Sequence, residues 1–337
     1  MHKISLVLIV LCCSVFSACT QTTTTKINGV SYVASRDAMD RDQLDPLTAV
    51  NANYAAIMPF GFIRSVDDPK VIFDTQRQWF GETRRGVKQC IDMLHENNIK
   101  VMVKPQLWLS RGEFTGYLKL NSEEEWRVLE DSYRGFILTF AEVAQETGAD
   151  MFCIGTELEQ FIVSRTDFWN TLIAEVKEVY HGKLTYAANW DEYKRVPFWN
   201  QLDYIGVDAY FPVSESKTPG IEEAKAGWQP WKAEMKALSE ANDLKIVFTE
   251  FGYRSVDYAG KEPWKSDRDM KEVNMEAQTN LTQALFDELW DEPWIAGGFV
   301  WKWFPDHHTV GGIENSQFTP QNKPAEKIIA QRFSTSK

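Results

Sequence analysis

Two apolar runs in the chain end in Thr-Glu: FCIGTEL at 152–158 and IVFTEFGYR at 246–254. Two carboxyl groups brought to one cleft can divide a reaction between them. One, kept protonated, donates to a leaving oxygen; the other, ionised, attacks carbon or activates water. Glutamates at strand ends also form ordinary salt bridges, and Arg254 follows Glu250 closely enough to supply one. Glu159, two residues beyond Glu157, competes with it for the same face, although Glu157 follows the apolar run directly. What the pair can do depends on where the two strand ends lie in the fold.

Further along, short β-rich runs alternate with helical patterns. The strands expected are 29–34, 54–62, 99–107, 150–157, 183–189, 203–211, 245–251 and 295–303, and the clearest helices are 81–98, 122–148, 166–182, 220–242 and 273–292. Ser122 with Glu125 has the spacing of a capping box. Eight strands with intervening helices predict an α/β chain folded as a (β/α)8 TIM barrel, a single domain over residues 27–337. The first βα segment, RDAMDRDQLDPLTAVNAN, is a poor helix. A doubly wound open sheet is the rival, but no glycine-rich phosphate loop follows any strand.

A barrel places its active site at the C-terminal strand ends. Glu157 closes the fourth strand and Glu250 the seventh. Alternation groups Met151, Cys153, Gly155 and Glu157 on one face, and Ile246, Phe248 and Glu250 on one face. The remaining strand ends supply Lys104, Gln106 and Trp108, then Asn189 and Trp190, Asp208 and Tyr210, and finally Trp301 and Trp303. Indole rings offer flat apolar faces and an N–H donor, which suits the C–H faces and hydroxyl edges of sugars. These residues are therefore the expected substrate-binding set around a catalytic pair.

Composition agrees with such a partner. The chain has 337 residues, 44% of them hydrophobic and 25% charged, with 13 tryptophans and a net charge of −12. Mixed charges with an acidic balance argue against nucleic acid, which requires a basic face. Five cysteines and five histidines show no metal-ligand spacing, and neither a metal nor a cofactor is expected. Cys90 and Cys153 read as buried free thiols.

The first residues read as an export signal over 1–18, a basic start followed by the apolar run ISLVLIVLCCSVFSAC, too short to span a membrane. FSAC at 16–19 resembles the lipobox of bacterial lipoproteins, with Phe16 where leucine is usual, and implies lipidation at Cys19. Residues 19–26 then form a polar tether. The expectation is a monomer exported and anchored by lipid to the cell envelope, with the outer membrane favoured. A plain secretory peptide is the alternative.

At this point the motifs resemble a family. An acid/base glutamate ending strand four and a nucleophile ending strand seven is the arrangement of the retaining clan A glycoside hydrolases. GTELE at 155–159, TEFGYR at 249–254 and VKPQLW before them are similar to glycoside hydrolase family 113, along most of the chain after residue 27. That resemblance implies an endo-acting β-1,4-mannanase, with Glu157 as acid/base, Glu250 as nucleophile, Tyr210 near the nucleophile and Trp301 beneath the cleaved sugar. Most clan members place Asn before the acid/base; Thr156 stands here, so Asn189 or a backbone group is left to contact the sugar 2-hydroxyl. Two other classes remain in view: a lipoprotein that binds glycans without cleaving them, and a metal-dependent barrel hydrolase, which would need histidines at strand ends.

Overall fold

The computed structural model describes residues 25–266 and 272–335. Eight parallel strands close into a barrel: β1 (Ile27–Tyr32), β2 (Tyr54–Ile57), β3 (Lys100–Val103), β4 (Met151–Thr156), β5 (Lys183–Asn189), β6 (Ile205–Asp208), β7 (Ile246–Phe251) and β8 (Ile295–Trp303). Each pairs with its neighbours in chain order, and β8 returns to β1. The principal outer helices are α1 (Arg84–Glu96), α2 (Glu123–Thr147), α3 (Thr166–Val179), α4 (Ile221–Asn242), α5 (Met275–Leu285) and α6 (Pro324–Thr335). The expected TIM barrel is the observed architecture.

Local chemistry accounts for the boundaries. Ser122 and Glu125 form the reciprocal capping box at the start of α2, and Gly148 ends that helix at φ 69°. Between β1 and β2 there are only a 3-10 turn, Arg41–Leu44, and a five-residue α-helix, Asp45–Ala49, as the poor helical pattern there suggested. The expected strands 54–62 and 99–107 each break at a proline, Pro59 and Pro105, which has no N–H for a central ladder. Beyond each proline the chain pairs again, Phe60–Ile63 against Gln106–Leu109, as a two-stranded extension above the barrel mouth.

Two apolar layers result. Ile27, Ala56, Met102, Met151, Cys153, Ala187, Val247 and Phe299 fill the barrel interior. Their strand neighbours, among them Val103, Phe152, Ile154, Val207, Phe248 and Val300, pack outward against the helices. Cys90 and Cys153 are buried free thiols. Among the described residues no helix is long and apolar enough to cross a membrane. The export signal and lipidation at Cys19 fall outside the described residues.

Candidate active site

The strands that carry the predicted glutamates depart from simple alternation where they end. Along β6 and β7, Val207 pairs with Phe248 but Asp208 pairs with Glu250, so Thr249 is an extra residue on β7. Phe248 and Phe251 both point to the helices. Strict alternation would have sent Glu250 outward with Phe248; the bulge turns it over the barrel mouth. The sequence reading that grouped Phe248 with Glu250 is corrected accordingly.

A second irregularity lies on β4, where Cys153 pairs with Thr185 but Thr156 pairs with Ala187. Gly155 is thereby turned to the outer layer instead of sharing the face of Cys153. A Cβ there would sit 2.7 Å from the Tyr133 hydroxyl and 2.8 Å from the Trp169 ring, closer than packing allows. Glu157 follows at φ 51°, a left-handed conformation uncommon for a residue with a side chain.

Around Glu250 the partners are dense. Its Oε1 accepts from the ammonium of Lys104 and from Nε2 of Gln106 (2.9 Å), and its Oε2 accepts from the Tyr210 hydroxyl (2.7 Å). Behind it, Lys104 lies 3.4 Å from Oδ1 of Asp208, which also accepts from Thr249 at 2.7 Å. Burial opposes the charge on Lys104, but Asp208 and Glu250 outweigh it and raise its pKa. The Tyr210 phenol is pushed well above its ordinary value by burial and then by the charges of Glu250 and Asp208, so it stays a donor.

Glu157 is in a different environment. Among the described residues no donor is bonded to its carboxyl, and burial, then the charges of Asp208 and Glu250, raise its pKa well above the usual carboxylate range. Two glutamates thus share a cleft, one bonded to a cation and two neutral donors, the other with a raised pKa and no bonded donor among the described residues. Glu159, the competing candidate, is ion-paired with Arg195.

The cleft has a volume of about 650 Å³ and is bordered by Glu157, Glu250, Asn189, Trp190, Tyr210 and Trp301, with Trp108 at its rim. Lys104 and Asp208 are completely buried behind Glu250, so they are its supports and cannot touch a ligand directly. Gln106 belongs with them through its bond to Glu250. Trp303 must be removed from the expected binding set. Val30 pairs with Val300 but Tyr32 with Trp303, and this extra residue on β8 turns the Trp303 ring into the outer layer, fully buried near His307.

Sequence reasoning missed several lining residues. Phe114, Thr115 and Tyr117 come from the loop after the Gln106–Leu109 extension, and Trp264 stacks on Trp190 at 4.9 Å and 18°. Glu192, three residues beyond Asn189, also borders the cleft. Except for Thr115, their aromatic or acidic character was visible, but none lies at a strand end.

The family model described as Glycoside Hydrolase Family 113 matches residues 31–323. The chain belongs to glycoside hydrolase family 113. No match was found among curated proteins. The fold is similar to that of a family 113 β-mannanase from Alicyclobacillus acidocaldarius solved with ManMIm, at 23% identity and a TM-score of 0.80 over 93% of this chain and 98% of that one. A family 113 β-1,4-mannanase complex aligns at 21% identity and a TM-score of 0.80, covering 92% and 99%. A Faecalibacterium prausnitzii β-glucuronidase aligns at 15% identity and 0.61, with 92% of this chain covering 49% of that one.

Proposed function

We propose that the protein is a retaining endo-β-1,4-mannanase in which Glu157 is the acid/base and Glu250 the nucleophile. The observation that carries this reading is the contrast between the two carboxyls: Glu250 is fixed by Lys104, Gln106 and Tyr210, while Glu157 has no bonded donor among the described residues and its pKa is raised by burial and by its acidic neighbours. The similar solved structures of family 113 are named as β-mannanases, which favours mannan or glucomannan as the glycan.

The chemistry follows from the placement. Glu157 gives its proton to the glycosidic oxygen while Glu250 attacks the anomeric carbon, forming a glycosyl-enzyme and releasing the leaving sugar. Glu157, now ionised, takes a proton from water as that water attacks the same carbon, which frees Glu250 and restores the acid. Trp301 stacks beneath the sugar at the point of cleavage. The amide nitrogen of Asn189 has no acceptor among the described residues and is placed to meet a ring hydroxyl. Trp108, Trp190 and Trp264 extend the aromatic surface for further rings.

Product analysis with β-1,4-mannan, glucomannan, cellulose and xylan oligosaccharides tests the reading, with Glu250→Ala as control. Cleavage of the mannans, lost in the variant, is expected. Binding without cleavage of any glycan would favour a non-catalytic carbohydrate-binding lipoprotein instead.

The protein is further proposed to act as an exported monomer held to the envelope by lipid on Cys19. Incorporation of a labelled fatty acid, abolished by Cys19→Ala, is the expected result.

A further inference from the structure

Glu192 is a buried carboxyl that the proposed reaction does not use. It is 1% exposed, borders the cleft, and among the described residues has no cation bonded to it. Its two oxygens are nevertheless both engaged. Oε1 accepts from the Tyr186 hydroxyl at 2.6 Å, and Oε2 accepts from the backbone N–H of Asn189 at 2.9 Å. Tyr186 stands on the outer face of β5, fully buried against Trp169, Phe198 and Trp199.

The chain of bonds continues to the catalytic strand. The N–H of Glu157 still joins the ladder, donating to the carbonyl of Ala187 at 2.8 Å. The next N–H, that of Leu158, leaves it and donates to the Tyr186 hydroxyl oxygen at 2.7 Å. Leu158 thus donates to Tyr186, which donates to Glu192. The last residue of the ladder is Glu157, in its left-handed conformation at φ 51°. Such a conformation persists only where its surroundings over-determine it. A carboxyl group suits the far end of the chain because it offers two oxygen atoms to two donors; a carboxamide offers one.

We propose that Glu192 is a positioning residue for Glu157: by anchoring Tyr186 it fixes the turn at Glu157–Leu158 and aims the Glu157 carboxyl at the glycosidic oxygen. The same carboxyl ties down the backbone of Asn189, so one buried group sets two residues of the cleft. The proposal rests on the reading of Glu157 as acid/base.

The test measures kcat and KM for Glu192→Ala, Glu192→Gln, Tyr186→Phe and Glu157→Ala on two substrates. One is an unactivated glycan; the other is the corresponding dinitrophenyl glycoside, whose leaving group needs little protonation. General acid catalysis contributes roughly 10²–10⁴-fold, so misaiming the acid should remove on the order of tenfold to a hundredfold from kcat on the glycan. Tyr186→Phe is expected to show that loss with KM nearly unchanged, and Glu192→Ala the same loss with KM also raised through Asn189; both should lose several-fold less kcat on the dinitrophenyl substrate. Glu192→Gln, which keeps an acceptor for Tyr186, should recover most of the rate. If Glu157→Ala is selective for the poor leaving group but Glu192→Ala and Tyr186→Phe lose both substrates equally, or lose neither, the positioning role is overturned alone. If Glu157→Ala itself shows no selectivity, the acid/base reading fails and the proposal falls with it. Should Glu192→Ala not fold, Tyr186→Phe and Glu192→Gln decide the same question.

Discussion

Lys104 carries a fully buried ammonium that is paired with Oε1 of Glu250. Asp208, 3.4 Å from the same nitrogen, makes the pairing more than a static salt bridge. In the proposed reaction Glu250 loses its negative charge on bonding to sugar, and Lys104 would be left as an unpaired buried cation. Asp208 can then supply the counter-charge, because its pKa is raised in part by the very charge of Glu250 that the bond to sugar removes; its Oδ1 is held by Thr249, the residue that the β7 bulge inserts.

Replacing Lys104 by Met therefore leaves two buried carboxyls facing one another. Breaking a buried pair from one side costs about 3–5 kcal/mol, and losing a preorganised electrostatic contact lowers kcat by roughly 10²-fold or more. Urea unfolding and steady-state kinetics should show both effects. A Lys104→Met variant with unchanged stability and turnover would contradict this role.

Glu157→Ala opens the position of the proposed acid/base to small anions. Added azide should restore turnover of a dinitrophenyl glycoside and yield a β-glycosyl azide, because it attacks the intermediate from the face that water uses. An α-azide product, or no rescue, would point to a different role for Glu157.

The raised carboxyl pKa values set the pH behaviour. Glu157 must be protonated to act as acid, so kcat/KM should fall as pH rises through a value well above the ordinary carboxylate range. Stability follows the same sign. Burial, then the charge of Glu250, holds Asp208 up to about 7 despite Lys104; burial holds Glu192 up to about 8 despite its bonds from Tyr186 and Asn189. The folded state keeps these protons when the unfolded chain has lost them. The resulting stability is complete below the unfolded value near ~4 and is lost as pH rises towards 7 and 8. Lys323 and Lys26, lowered by burial to about 7 and about 8, give the opposite slope, but only above those values. Between roughly pH 5 and 6.5 the carboxyls dominate, each contributing up to ~1.4 kcal/mol per pH unit. Calorimetry should show Tm falling across that interval, with a shallower fall in Glu192→Gln. A Tm that rises there would contradict the assignment.

The tryptophans separate into two classes. Trp301→Ala and Trp108→Ala should weaken binding, each by roughly 2–10-fold in KM if a stacked ring contributes about 0.5–1.5 kcal/mol, with Trp108 mattering only for the longer glycans that reach the rim. Trp303→Phe, in the outer layer, should lower Tm and leave KM unchanged. An altered KM in Trp303→Phe would restore it to the cleft.

Much of this organisation was legible in the sequence. The barrel followed from eight β-rich runs, and Glu157 and Glu250 from their position at strand ends. What alternation could not supply was the facing of Gly155, Glu250 and Trp303. All three lie at or just beyond an inserted residue on β4, β7 or β8, and one extra residue reverses a period of two. Lys104 and Asp208 were found but assigned to the ligand, since sequence shows a residue's chemistry without its depth. Glu192 was missed because its significance lies in Tyr186, an outward-facing residue whose hydroxyl reaches back to the turn after β4.

The most direct test of the account is to identify which residue bonds to sugar. The protein is incubated with a 2-deoxy-2-fluoro analogue, bearing an activated leaving group, of the glycan it cleaves, then digested and analysed by mass spectrometry. One glycosyl adduct is expected, on the peptide containing Glu250, absent in Glu250→Ala. An adduct on Glu157, or rapid turnover that releases the inverted sugar with no adduct on any peptide, would contradict it.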